Sequence, residues 1–169
     1  VNINTIYSKP LWRPGATATS TFDNYYVNGM KIEGTHTLTN NSNMVQLIFT
    51  SAVANGKLTG NDETFIQWSG TRVFTQKEGW STLLDPSDDL YAMVSQGSGS
   101  VTKNDNTYTW NGYTIEPLEQ RPACQWVSKG IQGIEGTSGA QGTIDFGNGD
   151  CDNKAVLLVN GVSGEITLK

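Results

Sequence analysis

One short phrase occurs three times along the chain: Val27-Asn28-Gly29-Met30, Trp110-Asn111-Gly112-Tyr113 and Val159-Asn160-Gly161-Val162. Each is an apolar residue, Asn-Gly, and another apolar residue. A two-residue type I′ turn needs positive φ at both central positions, which Asn tolerates and Gly takes freely, and its twist matches that of the strands it joins. Three such signals predict hairpins and therefore antiparallel strands. The wider composition agrees, because the chain is rich in Thr, Asn and Ser and holds 19 Gly. Thr suits a pleated surface, whereas Asn and Gly punctuate it. No long stretch of helical period stands out.

The 169 residues, 36 % of them hydrophobic, suffice for one core, and no compositional shift marks a second domain. We read residues 1–169 as a single all-β domain, an antiparallel meander of hairpins forming a twisted sheet, a sandwich or a partly open barrel. A net charge of −5 and a pI near 4.7, without a Lys/Arg stripe, argue against nucleic acid or anionic lipid as the main partner. No apolar run is long enough to span a bilayer as a helix. The chain opens at Val1 with no initiator Met, charged leader or apolar segment, as a mature or trimmed exported protein does.

Alternation defines the strands. Lys31, Glu33, Thr35, Thr37 and Thr39 fall on one face of Met30 to Thr39, and Met30, Ile32, Gly34, His36 and Leu38 on the other. Asn40 to Asn43 turns the chain, Met44 to Val53 is the next strand, and Asn55-Gly56 is read as another turn. Glu63 to Trp68 and Thr71 to Gln76 flank a turn at Ser69-Gly70, and Leu90 to Lys103 and Thr107 to Trp110 flank one at Asn104-Asp105-Asn106. Asp85 to Asp89 is the main loop.

A hairpin closing at Thr137-Ser138 sets Cys124 opposite Cys151, Gly133 opposite Gly142 and Ile131 opposite Ile144. Apolar meets apolar in that register, so a Cys124–Cys151 disulfide is expected, with Trp126 on the Cys124 face. The alternative is two separate buried thiols.

Signals for chemistry are sparse. His36, the one histidine, lies between Ile32 and Leu38 and reads as a core or rim residue, with no nucleophile elbow or metalloprotease helix beside it. One His and two distant Cys lack zinc spacing. Asp145 to Asn153 is the densest run of oxygen ligands, so Asp145, Asp150 and Asp152 are the calcium candidates, although the same residues suit a self-capping turn. Otherwise no cofactor is expected. Asp23, Glu33, Glu116 and Asp145 are candidate partners for glycosidase chemistry, which needs two carboxyls about 5 to 9.5 Å apart. Exposed aromatics can stack sugars. Of Trp12, Trp68, Trp80, Trp110 and Trp126, most are read as core, and Trp12 and Trp80, flanked by Pro and Gly, are the first choices.

Three segments carry a likeness: Thr21-Phe22-Asp23-Asn24-Tyr25-Tyr26-Val27-Asn28-Gly29 through Ile32-Glu33-Gly34-Thr35, then Cys124-Gln125-Trp126, then Asp145 through Ala155 to Asn160-Gly161. In this order they resemble a Flavobacteria-type family of exported Bacteroidetes lipoproteins. The resemblance implies an exported location, at the outer membrane or cell surface or in the periplasm, and strengthens the disulfide expectation, because exported chains meet an oxidising compartment. It transfers no catalytic residue. Any membrane contact is then expected through a lipid anchor outside this chain. The resulting expectation is a non-enzymatic envelope protein that binds or supports an outer-membrane or surface protein. A glycan-binding module is the alternative, and a carboxylate-dependent glycoside hydrolase the second.

Overall fold

The computed structural model describes residues 2–60, 64–79, 81–82 and 85–168. Among them, twelve strands form one antiparallel sheet and no α-helix occurs. The strands are β1 (Asn2–Tyr7), β2 (Thr17–Asp23), β3 (Tyr25–Val27), β4 (Met30–Asn40), β5 (Ile48–Thr59) and β6 (Phe65–Glu78), followed by β7 (Leu90–Lys103), β8 (Asn106–Gln120), β9 (Lys129–Gly136), β10 (Gln141–Asn148), β11 (Lys154–Val159) and β12 (Val162–Thr167). Spatial order follows chain order from β1 to β12, except that the short β3 pairs with β4 alone. The outer strands do not meet, so the sheet is open. Of the three forms that the sequence left available, the chain takes the open sheet.

Two of the three Asn-Gly phrases make the expected turns. Val27 pairs with Met30 across Asn28 (φ 49°) and Gly29 (φ 79°), and Val159 pairs with Val162 across Asn160 (φ 48°) and Gly161 (φ 85°). The third does not. Asn111 and Gly112 lie inside β8, with β7 hydrogen-bonded on one side and β9 on the other, which leaves no room for a reversal. The turn that starts β8 is Asn104-Asp105 (φ 50° and 61°), where Lys103 pairs with Asn106.

Other turn signals are also absorbed into long strands. Ser69-Gly70 sits within β6. Asn55-Gly56 sits within β5, where Asn55 (φ 52°) marks a register shift against both β4 and β6: a bulge, which adds one residue and local twist without reversing the chain. Met44 and Val45 lie in the loop before β5 rather than in a strand, 99 % and 79 % exposed. Glu63 lies outside the described residues.

Cys124 and Cys151 form the expected disulfide, with Cα atoms 5.8 Å apart. The register behind that expectation is displaced by one residue. Gly142 faces Ile134, Thr143 faces Gly133 and Asp145 faces Ile131, because a 3₁₀ turn over Thr137–Gly139 closes the hairpin, with the Gly136 N–H donating to the Ala140 carbonyl. Both cysteines lie outside the strands, in the loops before β9 and after β10, so Trp126 is a loop residue and strand alternation does not decide its face.

Contacts between elements follow the sheet order. Deep burial is correspondingly rare. Among the described residues the buried apolar ones are Ala16, Ala18, Met93, Leu118, Cys124 and Ala155, and the one large side chain buried almost completely is polar, Asn40. Both polar atoms of the Asn40 side chain are engaged: its amide donates to the Leu11 carbonyl at 2.7 Å and its Oδ1 accepts from the Ser42 N–H at 2.8 Å. The molecule exposes 10715 Å². A globular monomer of 18.3 kDa exposes about 8,100 Å², so roughly a third more surface than usual meets solvent.

Candidate functional site

The two faces of the sheet differ in chemistry. One carries Thr17, Thr19, Thr21, Thr35, Thr37 and Thr39 along β2 and β4, and farther across the sheet it also carries Val73, Val94 and Tyr113. The other carries Phe49, Trp68, Phe74, Met93 and Trp110. Its centre is organised in rows that cross the strands. One row runs Gly56, Trp68, Gly99, Trp110, Gly136 from β5 to β9. The next runs Val53, Gly70, Gly97, Gly112, Ile134.

In the first row each indole covers a glycine on the preceding strand. A Cβ at Gly56 would stand 2.6 to 2.9 Å from three Trp68 ring atoms, and one at Gly99 would stand 2.7 Å from the Trp110 ring. Flat aromatic cover over cross-strand glycine stabilises a strand position that has no side chain of its own. On the opposite face Tyr113 covers Gly133 in the same way, at 2.9 Å. Trp68 and Trp110 therefore sit two strands apart, about 10 Å between backbones, each with one ring face against the sheet.

The second row supplies a floor. Gly70, Gly97 and Gly112 are neighbours on β6, β7 and β8 and leave bare backbone between the tryptophan row and a polar row formed by Ser51, Arg72, Ser95 and Gln132. The result is a furrow of about 560 Å³, lined among others by Trp68, Trp110, Arg72, Ser95, Gln132 and Phe146. Its polar wall is partly pre-ordered: the Ser95 Oγ donates to Gln132 Oε1 at 3.2 Å, and the Ser95 N–H donates to the Thr114 hydroxyl at 2.8 Å. Arg72 is the one ionisable residue among those lining the furrow, and its guanidinium has no hydrogen-bond or ion-pair partner among the described residues.

The candidates read from the sequence lie elsewhere. Trp12 is 79 % exposed, as expected, but in the β1–β2 loop, and Trp80 lies outside the described residues. His36 is half-buried beside the furrow, with Nε2 2.8 Å from the Ser51 hydroxyl. No hydrogen bond joins it to a carboxylate among the described residues. Asp145 and Asp152 cap their own turns, accepting from the Gly147 and Lys154 N–H groups at 2.9 Å, while the Asp150 N–H donates to Asn148. Among the described residues no three His, Cys, Asp or Glu side chains gather as a metal site.

Of the glycosidase candidates, Glu33 is paired with Lys31 at 2.8 Å, and that hydrogen bond holds its carboxyl below the ordinary value while raising the lysine. Glu116 and Asp145 flank Ile131 two strands apart. The cavity of about 230 Å³ beside Asp145 includes none of the other three candidates. In the Asp85–Asp89 loop, Asp85 accepts from both the hydroxyl and the N–H of Ser87, which lowers its pKa, and buried Asp89 accepts from Gln76 and Tyr91. Burial first, and then that bond, raises the Tyr91 pKa.

No protein-family model, curated protein or solved structure matches the chain.

Among the five tryptophans, most of them read as core and Trp12 and Trp80 preferred as exposed, the sequence does not single out Trp68 and Trp110. The signal that distinguishes them is their spacing from glycine across strands, and it becomes visible only with the register known.

Proposed function

We propose that this is a non-enzymatic exported envelope protein, a binding or structural component of an outer-membrane or cell-surface assembly, with kinship to the lipoproteins it resembles. The carrying observation is the outer strand β1. It has no partner on its far side among the described residues, contains neither a charge nor a proline, and leaves Ile3, Ile6 and Tyr7 49 %, 67 % and 59 % exposed. Soluble sheets usually protect such an edge with charge, proline or a bulge. An unprotected edge offers main-chain donors and acceptors to a strand of another protein, with alternate side chains setting specificity. The reading requires no cofactor and no calcium.

The test is affinity isolation of the tagged full-length protein from its native envelope, with mass spectrometry and an untagged control. A stoichiometric outer-membrane or surface protein that is lost from the Thr5→Pro variant supports the proposal, and recovery of no partner overturns it.

The second reading, a glycan-binding module, is favoured by one observation: two indoles backed by glycine on one open furrow.

A further inference from the structure

We propose that the furrow binds a linear acidic glycan, whose sugar rings stack on Trp68 and Trp110 while a uronate carboxylate pairs with Arg72. The proposal rests on the glycan-binding reading and names its ligand class. It is independent of strand docking at β1, which lies on the edge of the sheet rather than on this face.

Three features converge. First, a sugar ring has an apolar C–H face and a polar rim, so it needs an aromatic plane with hydrogen-bonding groups beside it. The furrow places the Trp68–Trp110 row on one side of a bare glycine floor and Ser51, Arg72, Ser95 and Gln132 on the other. Second, the floor is open because Gly70, Gly97 and Gly112 fall in one row. Four residues along β6 and β7, about 13 Å, separate the tryptophan and arginine rows, a width that admits a chain of rings lying across the strands.

Third, the charge is selective. In a chain of net charge −5, Arg72 is, among the described residues, the sole ionised group lining the furrow, and among them it is unpaired. A guanidinium with all five donors unused fits a carboxylate through two parallel bonds. The Gln132 Nε2 makes only a long 3.4 Å contact with the adjacent Gly133 carbonyl, so it keeps donor capacity for a hydroxyl.

The test compares binding of oligogalacturonate with that of a neutral cello-oligosaccharide of equal length, by calorimetry and tryptophan fluorescence. The wild type is expected to bind the acidic chain about tenfold more tightly, the factor that a charge-assisted hydrogen bond supplies, and Arg72→Gln to reduce it to the neutral level with Tm unchanged. Trp110→Ala removes the cover of Gly99 and risks unfolding, so the second variant is Gly112→Ala. Its added Cβ meets nothing closer than 3.5 Å. It is expected to weaken binding of both sugars without lowering Tm. The proposal is overturned if the wild type shows no saturable binding of oligogalacturonate, if the acid preference survives Arg72→Gln, or if Gly112→Ala leaves both affinities intact. Thr5→Pro, which addresses the edge, is expected to leave sugar binding unchanged.

Discussion

Strands β7 and β8 serve two regions built on opposite principles. Near the start of β7 and the end of β8, Met93 and Leu118 pair across the strands at 5 % and 6 % exposure, and the loop that follows carries buried Cys124. A few residues along the same strands, Gly97 faces Gly112 and neither contributes a side chain of its own. The first region packs; the second stays open. A sheet whose contacts follow neighbouring strands must obtain its cohesion locally, and this one concentrates it beside the disulfide while leaving the furrow bare. The contrast teaches that the furrow is not a failure of packing: neighbouring positions on the same strands show what packing looks like when the residues specify it.

The comparison can be broken at several points. Leu118→Ala removes the largest buried side chain of the packed region and is expected to cost about 2 to 5 kcal/mol in denaturant unfolding. Replacing both cysteines with Ser frees two loops separated by 27 residues. The expected loss is about 3 to 4 kcal/mol in the chain-entropy model, read as a lower unfolding midpoint without reductant.

The furrow glycines then sharpen the contrast. A Cβ at Gly97 would stand 2.9 Å from the Ser69 carbonyl oxygen, a backbone atom that cannot move alone, so Gly97→Ala is expected to destabilise by about 1 to 3 kcal/mol. Gly112→Ala meets only ordinary contacts and is expected to stabilise by up to about 1 kcal/mol, because glycine in a strand has more freedom to lose. Equal effects at the two positions would contradict the close β6–β7 approach.

The smallest effect is electrostatic. The Lys31 hydrogen bond lowers the Glu33 pKa, so the pair contributes stability above the ordinary carboxyl value of 4.5 that is lost as pH falls through the lowered folded value. Lys31→Met is expected to move the Glu33 titration upward by NMR, and an unmoved titration would remove the pair from the account.

Much of the fold is legible in the residues. The alternation from Met30 to Thr39 assigns the faces of β4 correctly, and Val27-Asn28-Gly29-Met30 turns as its chemistry dictates. Trp110-Asn111-Gly112-Tyr113 carries the same local signal but forms strand, because pairing on both sides outweighs a turn propensity that Asn104-Asp105 has already satisfied. Asn55-Gly56 shows the same competition, resolved as a bulge. The cysteine pair was found through a register one residue away from the actual one, since the 3₁₀ turn at Thr137–Gly139 adds to the loop. The furrow was not legible at all. Gly70, Gly97 and Gly112 are far apart in sequence, and only the long, bulged strands bring them into one row.

The most direct measurement on the furrow is fluorine NMR of fluorotryptophan-labelled protein, with signals assigned by single Trp→Phe replacements, during titration with oligogalacturonate. The Trp68 and Trp110 signals are expected to move together and saturate, with Trp12 and Trp126 unmoved. Movement of Trp12 alone, or of no tryptophan, would contradict the account.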